Sequence, residues 1–258
     1  MTSPTEGLLD RFRTGLTGLT GPAGAAPLAL WAHGSLAGGD YQEGRSDLDL
    51  VAVLAGPLAP RAVWALARLH ARLRGEPLAP LLHCTYLTPA AAADHPGRRH
   101  LTWAHGELFR RPVTPVTRRE LLDFGRVLHG EPPGALLPPV PDRELGEFVV
   151  RDQRDFWRPA VDRAHLWSQD VWVDLGLLTF ARATVTVRDG RLVSKRRALD
   201  ELPALGAPEE VVADIERRRY DGGGGAAGTA DGDWRTRRAR LTRGFLGPAI
   251  DGLVAAHT

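Results

Sequence analysis

Five prolines fall within residues 130–142, Gly-Glu-Pro-Pro-Gly-Ala-Leu-Leu-Pro-Pro-Val-Pro-Asp. Each lacks a backbone N–H and fixes φ, so this segment can form neither a helix interior nor a central strand. It reads as a linker that divides the 258 residues into two stretches, 1–130 and 141–258. Both lengths suit independent domains. The hydrophobic fraction of 43% and charged fraction of 25% are those of a globular protein. No apolar run approaches the roughly 20 residues that span a bilayer. Residues 1–19 lack a basic region followed by an apolar core, so no secretory signal is expected. Cys84 is the sole cysteine, which excludes an intrachain disulfide and a cysteine-based zinc site. A cytoplasmic location and a monomer are the expectations.

The first stretch alternates element types. Leu8, Leu9, Phe12, Leu16 and Leu19 recur at helical spacing. Residues 28–32 and 47–54 read as strands, 60–74 as an amphipathic helix with Val63, Leu66, Leu69, His70 and Leu73 on one side, and 81–87 as a third strand. That order predicts an α/β (α+β) domain with helices on a small mixed sheet. Beyond the prolines the pattern is all helical, over 143–167, 170–187, 207–220 and 233–256, with a turn at 188–191. The Gly/Pro/Ala stretch 21–26 and the glycine-rich residues 221–232 read as loops, the second of them flexible.

The stretch that carries chemistry is Gly34-Ser35, eleven residues, then Asp47-Leu48-Asp49-Leu50. Residues two apart on a strand leave the same face, so Asp47 and Asp49 project together while Leu48 and Leu50 turn inward. Adjacent carboxylates repel unless a cation sits between them. Mg²⁺ takes carboxylate oxygens and leaves positions open for phosphate. Gly34-Ser35, closing the preceding strand, offers a close backbone approach, N–H groups and a hydroxyl. Together these residues are suited to a nucleoside triphosphate held by its phosphates. An isolated Asp-x-Asp is otherwise a solvated strand end.

The net charge of +2 argues against nucleic acid as partner. Lys195 is the only lysine among 33 basic residues. It is either a chance survivor of arginine-rich codon usage or a residue kept because it supplies a compact point charge.

Gly-Ser followed by Asp-hydrophobic-Asp resembles the signature of the polymerase-beta-like nucleotidyltransferases. The second stretch resembles the helical domain of the aminoglycoside adenylyltransferases that modify streptomycin and spectinomycin. There an apolar helix ending in arginine precedes a turn, a lysine and, further on, a tyrosine. The matching residues are Leu175-Gly176-Leu177-Leu178-Thr179-Phe180-Ala181-Arg182, then Gly190-Arg191-Leu192-Val193-Ser194-Lys195, then Tyr220. The resemblance implies ATP as substrate, Mg²⁺ on Asp47 and Asp49, and transfer of AMP to a hydroxyl of a small acceptor such as an aminoglycoside. It also implies that Arg182 and Lys195 reach the triphosphate and that Tyr220 lies near the nucleotide.

One position departs from the pattern. Where the superfamily places a third carboxylate, alignment puts His83. Imidazole titrates near neutral pH and can serve as a base. The change also fits altered chemistry or a nucleotide-binding module without activity. Glu107, read as a loop residue, is the alternative base, or with His105 a wall of the acceptor site. An enzyme acting on protein or RNA is a third possibility, which the charge balance disfavours for RNA.

Other residues carry two readings each. His33 either borders the nucleotide or is packed in its strand. Asp170 and Asp174 are helix-start carboxylates, or a negative lip for a cationic acceptor. Trp157, Trp167 and Trp172 read as core. Arg217-Arg218-Arg219 and residues 235–240 read as solvated helix faces.

Overall fold

The computed structural model describes residues 3–19, 26–92, 98–220 and 232–257. The loop expected at 221–232 and the stretch at 21–26 therefore lie almost wholly outside the described residues. The chain forms two compact units, one ending at Val140 and the next starting at Pro141.

The first unit is a mixed sheet with helices on both faces. In chain order it comprises α1 (Pro4–Thr17), β1 (Pro27–Ala32), α2 (Gly34–Ala37), β2 (Leu48–Leu54), α3 (Pro60–Leu73), β3 (Leu82–Leu87), α4 (Pro89–Ala92), β4 (Arg99–Ala104), β5 (Glu107–Pro112), α5 (Pro115–Phe124), β6 (Arg126–Gly130) and α6 (Pro133–Leu136). The sheet order is β5-β4-β3-β2-β1-β6. β2 and β3 are parallel and their neighbours antiparallel.

β2 is buried on both faces, which is why its sequence is a near-continuous apolar run. Leu48, Leu50, Ala52 and Leu54 pack with Leu8, Phe12, Leu66 and Leu69 of α1 and α3. Val51 and Val53 pack on the opposite face with Trp31, Leu121 of α5 and Leu137. α1 starts cleanly because Ser3 accepts the Glu6 N–H and Pro4 occupies its first turn.

β4, β5 and β6 have no counterpart in the sequence reading. β5 and β6 are edge strands with mostly exposed residues, and β4 interleaves His100 and Thr102 with its apolar positions. None shows the pattern that marks a buried strand. The proline-rich segment is also more than a linker. α6 lies within it, Leu137 and Val140 are buried, and Arg119 donates to the Val140 carbonyl. It packs as the last part of the first unit.

The second unit is helical: α7 (Asp142–Asp152), α8 (Arg158–Val161), α9 (Asp170–Asp189), α10 (Lys195–Glu201), α11 (Glu209–Tyr220) and α12 (Gly232–Ala255). The helix expected over 143–167 is broken. A wider π-helical turn spans Gln153–Trp157, α8 is four residues long, and a 3-10 turn covers Ala164–Ser168. α9 ends at Gly190, whose φ of 68° is the left-handed cap that glycine adopts without strain. Trp157 and Trp167 are core, as expected, and Trp172 packs partly buried against them. Among the described residues no helix is long and apolar enough to cross a membrane.

Candidate active site

The site sits at one end of the sheet, where β1 hands over to α2 and where β2 and β3 begin. Asp49 and His83 are register partners on these parallel strands. Their side chains share a face, and Asp47, two residues before Asp49, joins them. His83 Nδ1 is 3.7 Å from Asp49 Oδ1, and its Nε2 is 3.9 Å from Asp47 Oδ1. The imidazole therefore stands between both carboxylates at distances long for hydrogen bonds. Its Nε2 is buried with no hydrogen-bond partner among the described residues. The Asp47 and Asp49 side chains keep 48% and 27% of their exposure.

Gly34 makes this arrangement possible. Its φ is 63°, and a Cβ there would lie 2.9 Å from Asp49 Oδ2. The backbone is thus wrapped against the carboxylate, in a conformation that other residues resist. Ser35 follows inside α2, its carbonyl accepting from the Asp40 N–H. The loop from α2 to β2 is tied to α1 through Glu43, which accepts from the Thr5 hydroxyl at 2.6 Å.

The His33 N–H donates to the Asp49 carbonyl at 2.9 Å. The His33 ring is buried and pairs through Nδ1 with buried Glu120 of α5 at 3.0 Å. Burial alone would raise the Asp49 carboxyl; His83, His33 and Arg111 together outweigh it and hold it below the usual carboxylate range. Glu120 and Arg111 escaped sequence reading. Only α5 folding onto the sheet brings Glu120 near His33, 87 residues earlier.

Glu107 opens β5 instead of lying in a loop, and it is exposed. It pairs with Ala104, which stands opposite His83 one step beyond the Cys84–Trp103 pair. Two interstrand spacings, roughly 10 Å, separate its backbone from that of His83. His105 and Gly106 form the two-residue turn from β4 to β5, with φ of 53° and 81°. That is the type I′ pattern, where asparagine-glycine is usual. The His105 ring sits edge-on to His83, centroids 4.5 Å apart.

The remaining sequence-selected residues belong to the helical unit. Arg182 of α9 donates from Nε to the Val193 carbonyl at 2.8 Å, which fixes the turn before α10. Lys195 is the first residue of α10, behind the Ser194 cap. Tyr220 ends α11, with the Arg196 and Arg219 guanidiniums 4.9 and 5.9 Å from its ring centre.

Asp170 and Asp174 form no bare negative lip: Asp170 pairs with Arg238, and Asp174 with Arg218 at 2.7 Å. Arg238 is only 1% exposed and also pairs with buried Asp214, and Arg218 pairs with both Asp174 and Asp214, so these two arginines are internal, whereas Arg217, Arg235, Arg237 and Arg240 are exposed as solvated helix faces.

Among the described residues no group of three or more His, Cys, Asp and Glu forms a metal cage. Mg²⁺ usually takes one or two carboxylates and completes its shell with phosphate and water. The half-exposed Asp47–Asp49 pair and the Gly34 cradle fit such an ion.

No protein-family model and no curated protein matches the sequence. Among solved structures the chain is similar to spectinomycin adenyltransferase AAD(9) from Enterococcus faecialis, crystallised with ATP and spectinomycin. The TM-score is 0.71, over 95% of this chain and 99% of that one, at 15% sequence identity. The chain shares that fold. The sheet of the first unit and the helices of the second both fall within the matched span, so the fold expected from the Gly-Ser and Asp-x-Asp pattern is present.

Proposed function

We propose that this chain is a Mg²⁺-dependent nucleotidyltransferase that transfers AMP from ATP to a hydroxyl of a small acceptor of the aminoglycoside class. The observation that carries this reading is the Gly34–Asp49–His83 juxtaposition: two carboxylates on one strand face, a glycine backbone wrapped against one of them, and an imidazole between both. The fold shared with an enzyme solved with ATP and spectinomycin supports it.

Asp47 and Asp49 would hold the metal. When bound, Mg²⁺ supplies charge neutralisation on the phosphates and polarisation at the α-phosphorus. The Ser35 hydroxyl and the adjoining N–H groups orient the phosphates. The family resemblance extends the proposal to Arg182, Lys195 and Tyr220 of the helical unit as ligands of ATP. The acceptor hydroxyl attacks the α-phosphorus, the bond to the β-phosphate oxygen breaks, and pyrophosphate leaves. His83 takes the hydroxyl proton at Nε2. Glu107, exposed and two strands away, lines the acceptor side instead of acting as base.

One observation favours a second reading, a nucleotide-binding module without transfer. His83 Nε2 is shielded from solvent, so an acceptor reaches it only if the ring turns outward. Calorimetry with ATP tests the metal assignment. Mg²⁺ should strengthen ATP binding to the wild type, and Asp49→Asn should remove that strengthening while circular dichroism stays unchanged. Equal metal dependence in both proteins would refute it.

A further inference from the structure

Behind the sheet, on the face turned away from the carboxylates, lies a cavity of about 300 Å³. Leu73 at the end of α3, Leu82 and Trp103 form its apolar walls. Among the described residues that line it none is acidic. Arg74 stands at its rim, exposed, with its guanidinium 5.9 Å from the Trp103 ring centre. Among the described residues no carboxylate pairs with Arg74. His70, also in the wall, carries no charge at neutral pH. Burial pulls it down to about 3, its Nε2 is bonded to the Tyr86 hydroxyl at 2.6 Å, and its ring stacks flat on Trp103 at 4.4 Å.

The cavity is within the size range of small-molecule sites, which are mostly apolar with a few placed polar groups. Among its described lining residues the one fixed charge is that of Arg74, which is positive and has no acidic neighbour in the lining. His105 is common to both places: it lines this cavity and its ring abuts His83. A histidine held at φ 53°, where turn chemistry favours asparagine, fits a position kept for its ring.

We propose that this cavity is a second binding site, for a small flat organic anion such as an aryl carboxylate, and that His105 passes its occupancy to His83. The aryl ring would lie among Leu73, Leu82 and Trp103, with the carboxylate on Arg74. This does not depend on the transfer activity proposed above.

NMR titration of the full chain with 2-naphthoate tests it, with neutral 2-naphthamide as control. The Trp103 indole and the His105 and His83 ring signals should shift saturably with 2-naphthoate, and about tenfold more of the amide should be needed, as for loss of one charge-assisted contact. Arg74→Gln, at an exposed position, should erase that preference. His105→Asn, which keeps a turn-compatible residue, should retain binding at Trp103 while the His83 signals no longer move. Absent Trp103 shifts, equal affinity for acid and amide, or a preference that survives Arg74→Gln would overturn the site. His83 shifts that persist in His105→Asn would overturn the relay.

Discussion

Gly34→Ala is the substitution whose cost the site geometry defines most closely. Two independent terms contribute. Alanine at φ 63° pays the left-handed penalty of about 1–2 kcal/mol. The new Cβ would also stand 2.9 Å from Asp49 Oδ2, but at an ordinary 3.6 Å from Asp49 Cβ. The carboxylate end alone must therefore give way, by roughly half an ångström, which takes Asp49 off its rotamer at about 0.5–1.5 kcal/mol. The sum is about 1.5–3.5 kcal/mol of stability in the first unit. Removing the obstacle isolates the second term: in an Asp49→Ala background, Gly34→Ala should cost only the backbone penalty. The coupling of about 0.5–1.5 kcal/mol exceeds the few tenths by which independent sites deviate from additivity. Urea unfolding should be followed on the Trp31 indole N–H, which donates to the Glu131 carbonyl at 2.7 Å and so reports the first unit by itself. A Gly34→Ala cost below about 0.5 kcal/mol, or an additive cycle, would refute the claim that glycine is required by contact with Asp49.

Two further outcomes are expected. Lys195→Ala should weaken ATP by about 1.5–3 kcal/mol, roughly ten- to a hundred-fold, and leave adenosine nearly unaffected, as measured by competitive calorimetry; equal losses for both ligands would mean that the lysine does not meet the phosphates. Burial lowers buried His70 to about 3, against about 6.5 unfolded. The unfolded chain then binds the extra proton first, so stability present above pH 6.5 is lost as pH falls toward 3, about 2 kcal/mol of it by pH 5. His70→Gln should flatten that slope in denaturant titrations, and parallel curves for both proteins would count against it.

The carboxylate centre was legible because its parts are local. Gly34, Asp47 and Asp49 occupy one strand–loop–strand crossing, and period-two alternation alone puts both aspartates on one face. His83 came from alignment with the superfamily's third carboxylate, and the parallel register of β2 and β3 sets it beside Asp49. The His33–Glu120 pair was invisible because it depends on where α5 docks. β4 escaped because Thr102 spends its polarity inside the sheet, on a 3.0 Å hydrogen bond to Thr85. Arg218 and Arg238 could not be told apart from their solvated neighbours because sequence shows the charge of the runs but not Asp174 and Asp214, which fold onto these two. The break after α7 was signalled only by Pro159, whose ring ends one helix and suits the first turn of the next.

Mass spectrometry of the acceptor tests the central claim most directly. The wild-type chain should be incubated with ATP, Mg²⁺ and, in separate reactions, spectinomycin, streptomycin and a panel of other aminoglycosides. At least one acceptor should gain a single AMP, pyrophosphate should appear in equal amount, and folded Asp49→Asn should give neither. A wild type that binds Mg·ATP yet leaves every acceptor unmodified would contradict transfer and establish the binding module in its place.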